Sequence, residues 1–294
     1  VSTTLARLCS YAELSKIRIA FFAALSSSAC FVLASGGFTL QCVLVTAGVF
    51  SLASGSCALN HYQERDTDRL MPRTRGRPIP SGRIRPGQAL VFSFLLICSG
   101  SSVLFACSGL EALLLGLFAA LWYNGVYVTL KKISAFSVIP GALTGAAPPA
   151  IGWVSGGGMF FSPALGALCL CFFIWQVPHS WLLYLEYGGE YEEAGLPSLT
   201  CIWSRRQIIR ATFVWTLCTT VICLIASLYM TVGEPVIRMA LLVSALWLAG
   251  SAVMLLNEEI SRKARAFLFG KLNAYLFFIM ALLVCGRLLD FKCN

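Results

Sequence analysis

Nine stretches of about 20 mostly apolar residues recur along the chain, near 18–36, 38–59, 88–107, 110–128, 134–153, 162–185, 209–231, 236–256 and 270–289. Each can cross a hydrocarbon layer of about 30 Å at about 1.5 Å per residue. Inside lipid the backbone must satisfy its own hydrogen bonds, and none of these stretches alternates with the period of a barrel strand, so helices are expected. The remaining composition agrees, since hydrophobic residues make up 58% of the 294 and charged residues only 12%, with a mean hydropathy of +0.79. A soluble domain carries about 25% charged residues, and half that amount covers its surface only if lipid covers the rest. The expected fold class is therefore all-α, a polytopic membrane protein with about nine transmembrane helices in a single domain, 1–294. The first apolar run is long enough to span, which argues against a cleaved signal peptide.

The net charge of +9 is distributed by side. All but three of the 22 Lys and Arg residues (Arg238, Arg287 and Lys292) lie in the N-terminal segment, in the loops 60–87, 129–133, 186–208 and 257–269, or at their flanks. Alternating spans put all of these on one face, so the positive-inside rule predicts a cytoplasmic N-terminus and an external C-terminus. That accounts for the basic balance without a nucleic-acid partner, and none is expected. The 13 cysteines show no C-x-x-C spacing and fall mostly within apolar runs, where a thiol packs as a small hydrophobe.

Acidic residues at span ends are expensive and therefore candidates for function. Asn60, Glu64 and Asp68 close the second span at i, i+4 and i+8, which stacks three oxygen-bearing side chains on one helical face. Such donors suit Mg²⁺, which keeps some waters and shares substrate phosphates. A solvated, charge-paired helix end would show the same pattern. The following loop, however, carries Arg69, Arg73, Arg75, Arg77 and Arg83 among prolines and glycines, forks suited to phosphate oxygens. Carboxylates for metal beside arginines for phosphate, at a membrane surface, point to a lipid-tailed diphosphate. The loops 60–87 and 186–208 both carry acids and follow the second and sixth spans, a spacing that hints at an internal duplication with the two clusters meeting across a cavity.

The run Asn60-x-x-x-Glu64-x-x-x-Asp68 followed by Arg73-Thr74-Arg75-Gly76-Arg77-Pro78 resembles the first motif of the UbiA-type intramembrane prenyltransferases. Three further stretches, Tyr123–Lys132, Gly141–Trp153 and Trp175–Trp181, are most similar to the protohaem IX farnesyltransferase branch of that superfamily, and Glu190–Pro197 resembles its second acidic motif. The likeness runs from about residue 13 to 200. It implies nine helices ringing a central cavity and Mg²⁺-assisted transfer of farnesyl from farnesyl diphosphate to a vinyl group of haem b, which is substrate rather than cofactor. Carried over residue by residue, it makes Asn60, Glu64 and Asp68 metal ligands and catalytic residues, Glu190 or Glu186 (with Glu193 a third choice) ligands of a second metal, and Arg73, Arg75, Arg77 and Lys131 contacts for diphosphate. Tyr127, four residues before Lys131, joins the catalytic set. Gly188 and Gly189 stand where the family commonly has charged residues, which leaves the second metal open.

Two histidines remain. His179, in Pro178-His179-Ser180-Trp181, is the candidate ligand for haem iron, with His61 second. The resemblance also implies a bacterial inner membrane, with haem-pathway or oxidase-assembly proteins as partners. Two alternatives stay open at this point: a UbiA-type enzyme acting on a quinone precursor or other aromatic acceptor, and, from another class, a transporter, whose acids would sit nearer span centres.

Overall fold

The computed structural model describes residues 3–230, 234–257 and 261–293; position 231 of the expected seventh span, residues 258–260 of the expected loop 257–269, and 1, 2 and 294 of the expected single domain lie outside them. In chain order the helices are α1 (Thr3–Leu14), α2 (Ile17–Ser35), α3 (Leu40–Gln63), α4 (Arg65–Leu70), α5 (Pro86–Leu121), α6 (Val128–Leu130), α7 (Val138–Gly141), α8 (Leu143–Ser155), α9 (Pro163–Glu193), α10 (Leu199–Ile202), α11 (Arg205–Tyr229), α12 (Pro235–Ala252) and α13 (Arg262–Cys293). A π-helical turn, Trp122–Tyr127, joins α5 to α6. The protein is an all-helical, multi-pass membrane protein.

Among the described residues seven helical runs are long and apolar enough to cross a membrane, and two local features reconcile that number with nine spans. The 45-residue run Pro86–Leu130 reverses at Gly109, whose φ of 77° and ψ of −162° break the helix. Both of its halves then lie along α3, because a Cβ on Gly100 or on Gly116 would each come within 3.0 Å of the Leu52 side chain. The expected fifth span, 134–153, is built from the short helices α7 and α8, too short singly to qualify. Elsewhere the helices outrun the apolar stretches. α9 continues to Glu193 and α13 begins at Arg262, because hydropathy marks only the part in lipid and Glu, Lys and Arg propagate a helix well beyond it.

The three short reversals all use glycine in the left-handed region: Gly36 (φ 79°), Gly109 (φ 77°) and Gly157 (φ 87°). Apolar side chains such as Phe22, Phe94, Leu121 and Leu228 point outward, while Thr212, Thr216 and Thr219 of α11 are fully buried and return their hydroxyls to carbonyls within their own helix. Lipid gives helices no hydrophobic reason to associate, so close backbone approach matters more. α8 shows this against α2. A Cβ on Gly152 would collide with the carbonyl of Ser27, and one on Gly156 would lie 2.6 Å from that of Phe31. This packing holds α2 in place, so that the residue preceding it, Lys16, meets Asn60 near the end of α3.

Gly152→Val should force α8 from α2 and cost about 3 kcal/mol or more, read as a lower melting temperature in detergent. Gly166→Ala, with no atom within 4 Å of an added Cβ, should leave it unchanged. Equal behaviour of the two variants would remove the close approach from the account.

Candidate active site

α3 ends at Gln63 and α4 begins at Arg65, yet the helical register survives the break. Glu64 donates its N–H to Asn60 O (2.9 Å) and Asp68 to Glu64 O (2.8 Å). The i, i+4 and i+8 side chains therefore stay on one face, and Asn60, Glu64 and Asp68, all buried, line a single cavity of about 200 Å³. Thr74, also buried, donates to Asp68 O (2.9 Å) and folds the arginine loop back over the helix end.

Each of the three oxygen-bearing side chains holds a cation from elsewhere. Lys131 Nζ donates to Glu64 Oε1 (3.0 Å). One guanidinium nitrogen of Arg77 donates to both oxygens of Asp68 (2.8 Å each). Lys16 Nζ donates to Asn60 Oδ1 (2.8 Å). Burial opposes charge on Glu64, but Lys131 and Lys16 outweigh it and hold its carboxyl below the usual range. Lys131 mirrors this: burial lowers its pKa, and Glu64 with Tyr191 and Tyr127 lifts it above an ordinary lysine. Lys16 donates to a neutral amide oxygen rather than to a carboxylate, and enclosure pushes its pKa down. Sequence reasoning missed Lys16, which reads there as one more basic residue flanking a span. Its backbone is the exception, with φ 44° and ψ 52°, the one left-handed non-glycine residue among those described.

The aromatic wall comes from two places. The π turn leaves the Asn124 carbonyl free to accept from Gln63 Nε2 (2.9 Å), while buried Asn124 donates its amide to Ser56 O (3.2 Å). That seats Tyr123 and Tyr127 in the cavity, rings stacked 5.7 Å apart. Gly141 makes room for Tyr127, since a Cβ there would strike its ring. Across the cavity α9 presents Tyr184, Tyr187 and Tyr191, with Arg73 over Tyr187 (5.0 Å) and Lys131 over Tyr191 (5.4 Å).

The acids of α9 take other positions. Glu186 binds Arg265 (3.0 Å) and Arg262 of α13, and Glu190 accepts from the Arg73 backbone N–H (3.3 Å). Neither lines the cavity, nor does Glu193. On a continuous helix the tyrosines and the glutamates occupy different faces, and packing turns the tyrosines inward. Gly188 has a packing reason of its own, because a Cβ would lie 2.8 Å from Thr200 Oγ1 where α9 meets α10. Arg73 and Arg77 line the cavity, and Arg75 is exposed outside it.

His179 lies on α9 one turn before Leu183, which lines the cavity. Its ring rests between Trp175 (4.7 Å) and Phe269 (4.6 Å), and its Nδ1 is 2.8 Å from Asn273 Oδ1. His61 is buried on α3, both ring nitrogens without a hydrogen bond among the described residues.

Hard oxygen donors on one face suit Mg²⁺, but among the described residues no cluster of three His, Cys, Asp or Glu side chains could hold a metal alone. A cation held here would need phosphate oxygens and water to complete its shell. Around the cavity Lys16, Arg73, Arg77 and Lys131 face only Glu64 and Asp68 as acids, an excess of positive charge that attracts an anion. Its volume is below the roughly 300–1,000 Å³ of a cleft that encloses a whole organic ligand, so the site is sized for a headgroup.

The UbiA prenyltransferase family model matches residues 20–282. The protoheme IX farnesyltransferase of Oleidesulfovibrio alaskensis is 32% identical over 278 residues, 94% of this chain and 95% of that one. That of Geobacter sulfurreducens is 44% identical over 154 residues, 52% and 57% of the two chains. Among solved structures, digeranylgeranylglyceryl phosphate synthase superposes with a TM-score of 0.76 at 17% identity, covering 96% of this chain and 99% of that one. A UbiA homologue from Archaeoglobus fulgidus bound to GPP and Mg²⁺ gives 0.65 at 14%, covering 95% and 98%. The structural likenesses establish the fold and the sequence match the lineage: the chain belongs to the UbiA prenyltransferase family.

Proposed function

We propose that this chain transfers the farnesyl group of farnesyl diphosphate to a vinyl group of haem b, giving haem O. The observation that carries the chemistry is the cavity in which Lys16, Lys131 and Arg77 hold Asn60, Glu64 and Asp68. The acceptor rests on relatives named protoheme IX farnesyltransferase and on the aromatic setting of His179. A quinone-type acceptor has no comparable feature in its favour.

Asn60, Glu64 and Asp68 would hold Mg²⁺, which supplies positive charge to the departing diphosphate. With Asn60, Glu64 and Asp68 engaged by the metal, Lys16, Lys131 and Arg77 would be free for diphosphate oxygens, so the cations that neutralise the acids here would neutralise the leaving group there. The bond from farnesyl C1 to oxygen breaks with its electron pair leaving on diphosphate. The vinyl group of haem adds to the allylic cation, and water captures the resulting porphyrin-side cation, releasing a proton and leaving a hydroxyethylfarnesyl chain. The tyrosine walls keep bulk water from the first cation. His179 Nε2 takes the haem iron on the membrane side of the headgroup cavity, holding the vinyl carbon in line. Glu186 and Glu190 fasten α9 to α13 and to the arginine loop. The N-terminus is cytoplasmic, and the bacterial relatives favour an inner membrane.

Asp68→Asn should lower turnover by about 100-fold or more in protein that still folds and inserts; near-normal turnover at saturating substrate would remove Asp68 from the metal site. Titrating haemin into the detergent-solubilised protein should give a saturable Soret shift, and its absence would turn the reading to an aromatic acceptor. Lys131→Met removes the cation paired directly with buried Glu64 and should cost about 3–5 kcal/mol. Adding Glu64→Gln should restore the melting temperature and leave the enzyme inactive. A double variant as unstable as the single one would show that this pair is not what the cavity rests on.

A further inference from the structure

We infer that Asn273 is a positioning residue for the haem substrate: it fixes the tautomer of His179 so that Nε2 is left as the iron-binding atom. This rests on the reading that His179 meets haem iron. Asn273 lies on α13, 94 positions from His179, where the sequence offers only a generic apolar span.

Two hydrogen bonds decide the arrangement. Asn273 Nδ2 donates to the carbonyl of Phe269 (2.8 Å), and a carbonyl can only accept, so the amide nitrogen belongs at that end. Its oxygen then faces His179 Nδ1 at 2.8 Å. An amide oxygen also only accepts, so Nδ1 carries the proton. A neutral imidazole has one such proton, which leaves the lone pair on Nε2. This is the outer-shell device by which ligating histidines are oriented and made more basic.

The ring plane is set by the same turn of α13. Phe269, whose carbonyl anchors Asn273, packs its ring 4.6 Å from the imidazole. Trp175 packs on it at 4.7 Å and donates its indole N–H to Leu272 O (3.2 Å). The segment 269–273 therefore fixes both the proton and the plane of His179. Asn273 and His179 both lie outside the headgroup cavity, so a change at Asn273 acts on the acceptor and not on diphosphate.

The test uses the full chain in detergent with haemin as probe, following the Soret titration and the iron–histidine stretch of the reduced complex. Asn273→Leu removes the acceptor and should weaken haemin binding by about 10-fold or more and shift or abolish the stretch. Asn273→Asp keeps an acceptor and adds charge, so affinity should hold within a few-fold while the stretch moves to higher frequency. Binding of inorganic diphosphate with Mg²⁺ should be unchanged in both. Wild-type affinity and an unmoved stretch in Asn273→Leu would overturn the inference. Should that variant fail to fold, an unmoved stretch in Asn273→Asp would overturn it equally. If His179→Ala itself leaves haemin affinity and spectrum intact, the iron-ligand reading falls first; an effect of His179→Ala with none at Asn273 defeats this inference alone.

Discussion

Charge compensation at one end of the helix bundle is the interaction on which the rest depends. Asp68 and Glu64 are carboxylates removed from water, and a buried carboxylate left alone destabilises a fold by several kcal/mol. Their partners are distant in the chain: Lys131 comes from the end of the fourth span, Arg77 from the loop beyond α4, and Lys16, on Asn60, from the link between α1 and α2. Bringing them together requires α2 to be held against α8 by glycine contact, and the fourth span to run beside α3. The cavity is thus a consequence of how the helices pack, and the packing is in turn secured by the ion pairs that close its polar end.

On the proposed function, the same arrangement would let a pocket built mainly from cations and tyrosines take a metal-bound anion. Partners that neutralise each other here would exchange for metal and diphosphate without exposing any bare charge, so little reorganisation would be required. The division of labour along α9 follows from helix geometry. Its last turns face the headgroup cavity with Tyr184, Tyr187 and Tyr191. One turn toward the membrane centre, His179 stands among Trp175, Phe269 and Asn273. Polar and aromatic surroundings thus lie in sequence on one helix, as the proposed reaction between a diphosphate and a planar apolar acceptor would require.

What the sequence made legible follows from rules that act locally. The apolar runs are visible because lipid demands about 20 residues per crossing, and the reversal at Gly109 shows as a short Cys107-Ser108-Gly109 link. Asn60, Glu64 and Asp68 could be read as one face because helical spacing carries through the α3–α4 break. Lys16 could not, because its role arises from a left-handed backbone and a partner 44 residues away. Nor could the orientation of α9: its tyrosine and glutamate faces are equally regular in sequence, and only contact with α13 and α10 turns Glu186 toward Arg262 and Arg265 and seats Gly188 on Thr200. Asn273 was silent for the same reason, since a lone polar residue in a span acquires meaning only from the helix opposite.

The most direct measurement of the central claim is product formation. Purified protein is incubated with haem b, farnesyl diphosphate and Mg²⁺, and the porphyrin fraction is read by mass spectrometry. The account predicts a porphyrin heavier by one farnesyl group and one hydroxyl, the mass of haem O, appearing only when Mg²⁺ is supplied. Recovery of unchanged haem b, in a preparation that consumes farnesyl diphosphate readily when an aromatic acid is offered as acceptor, would contradict it.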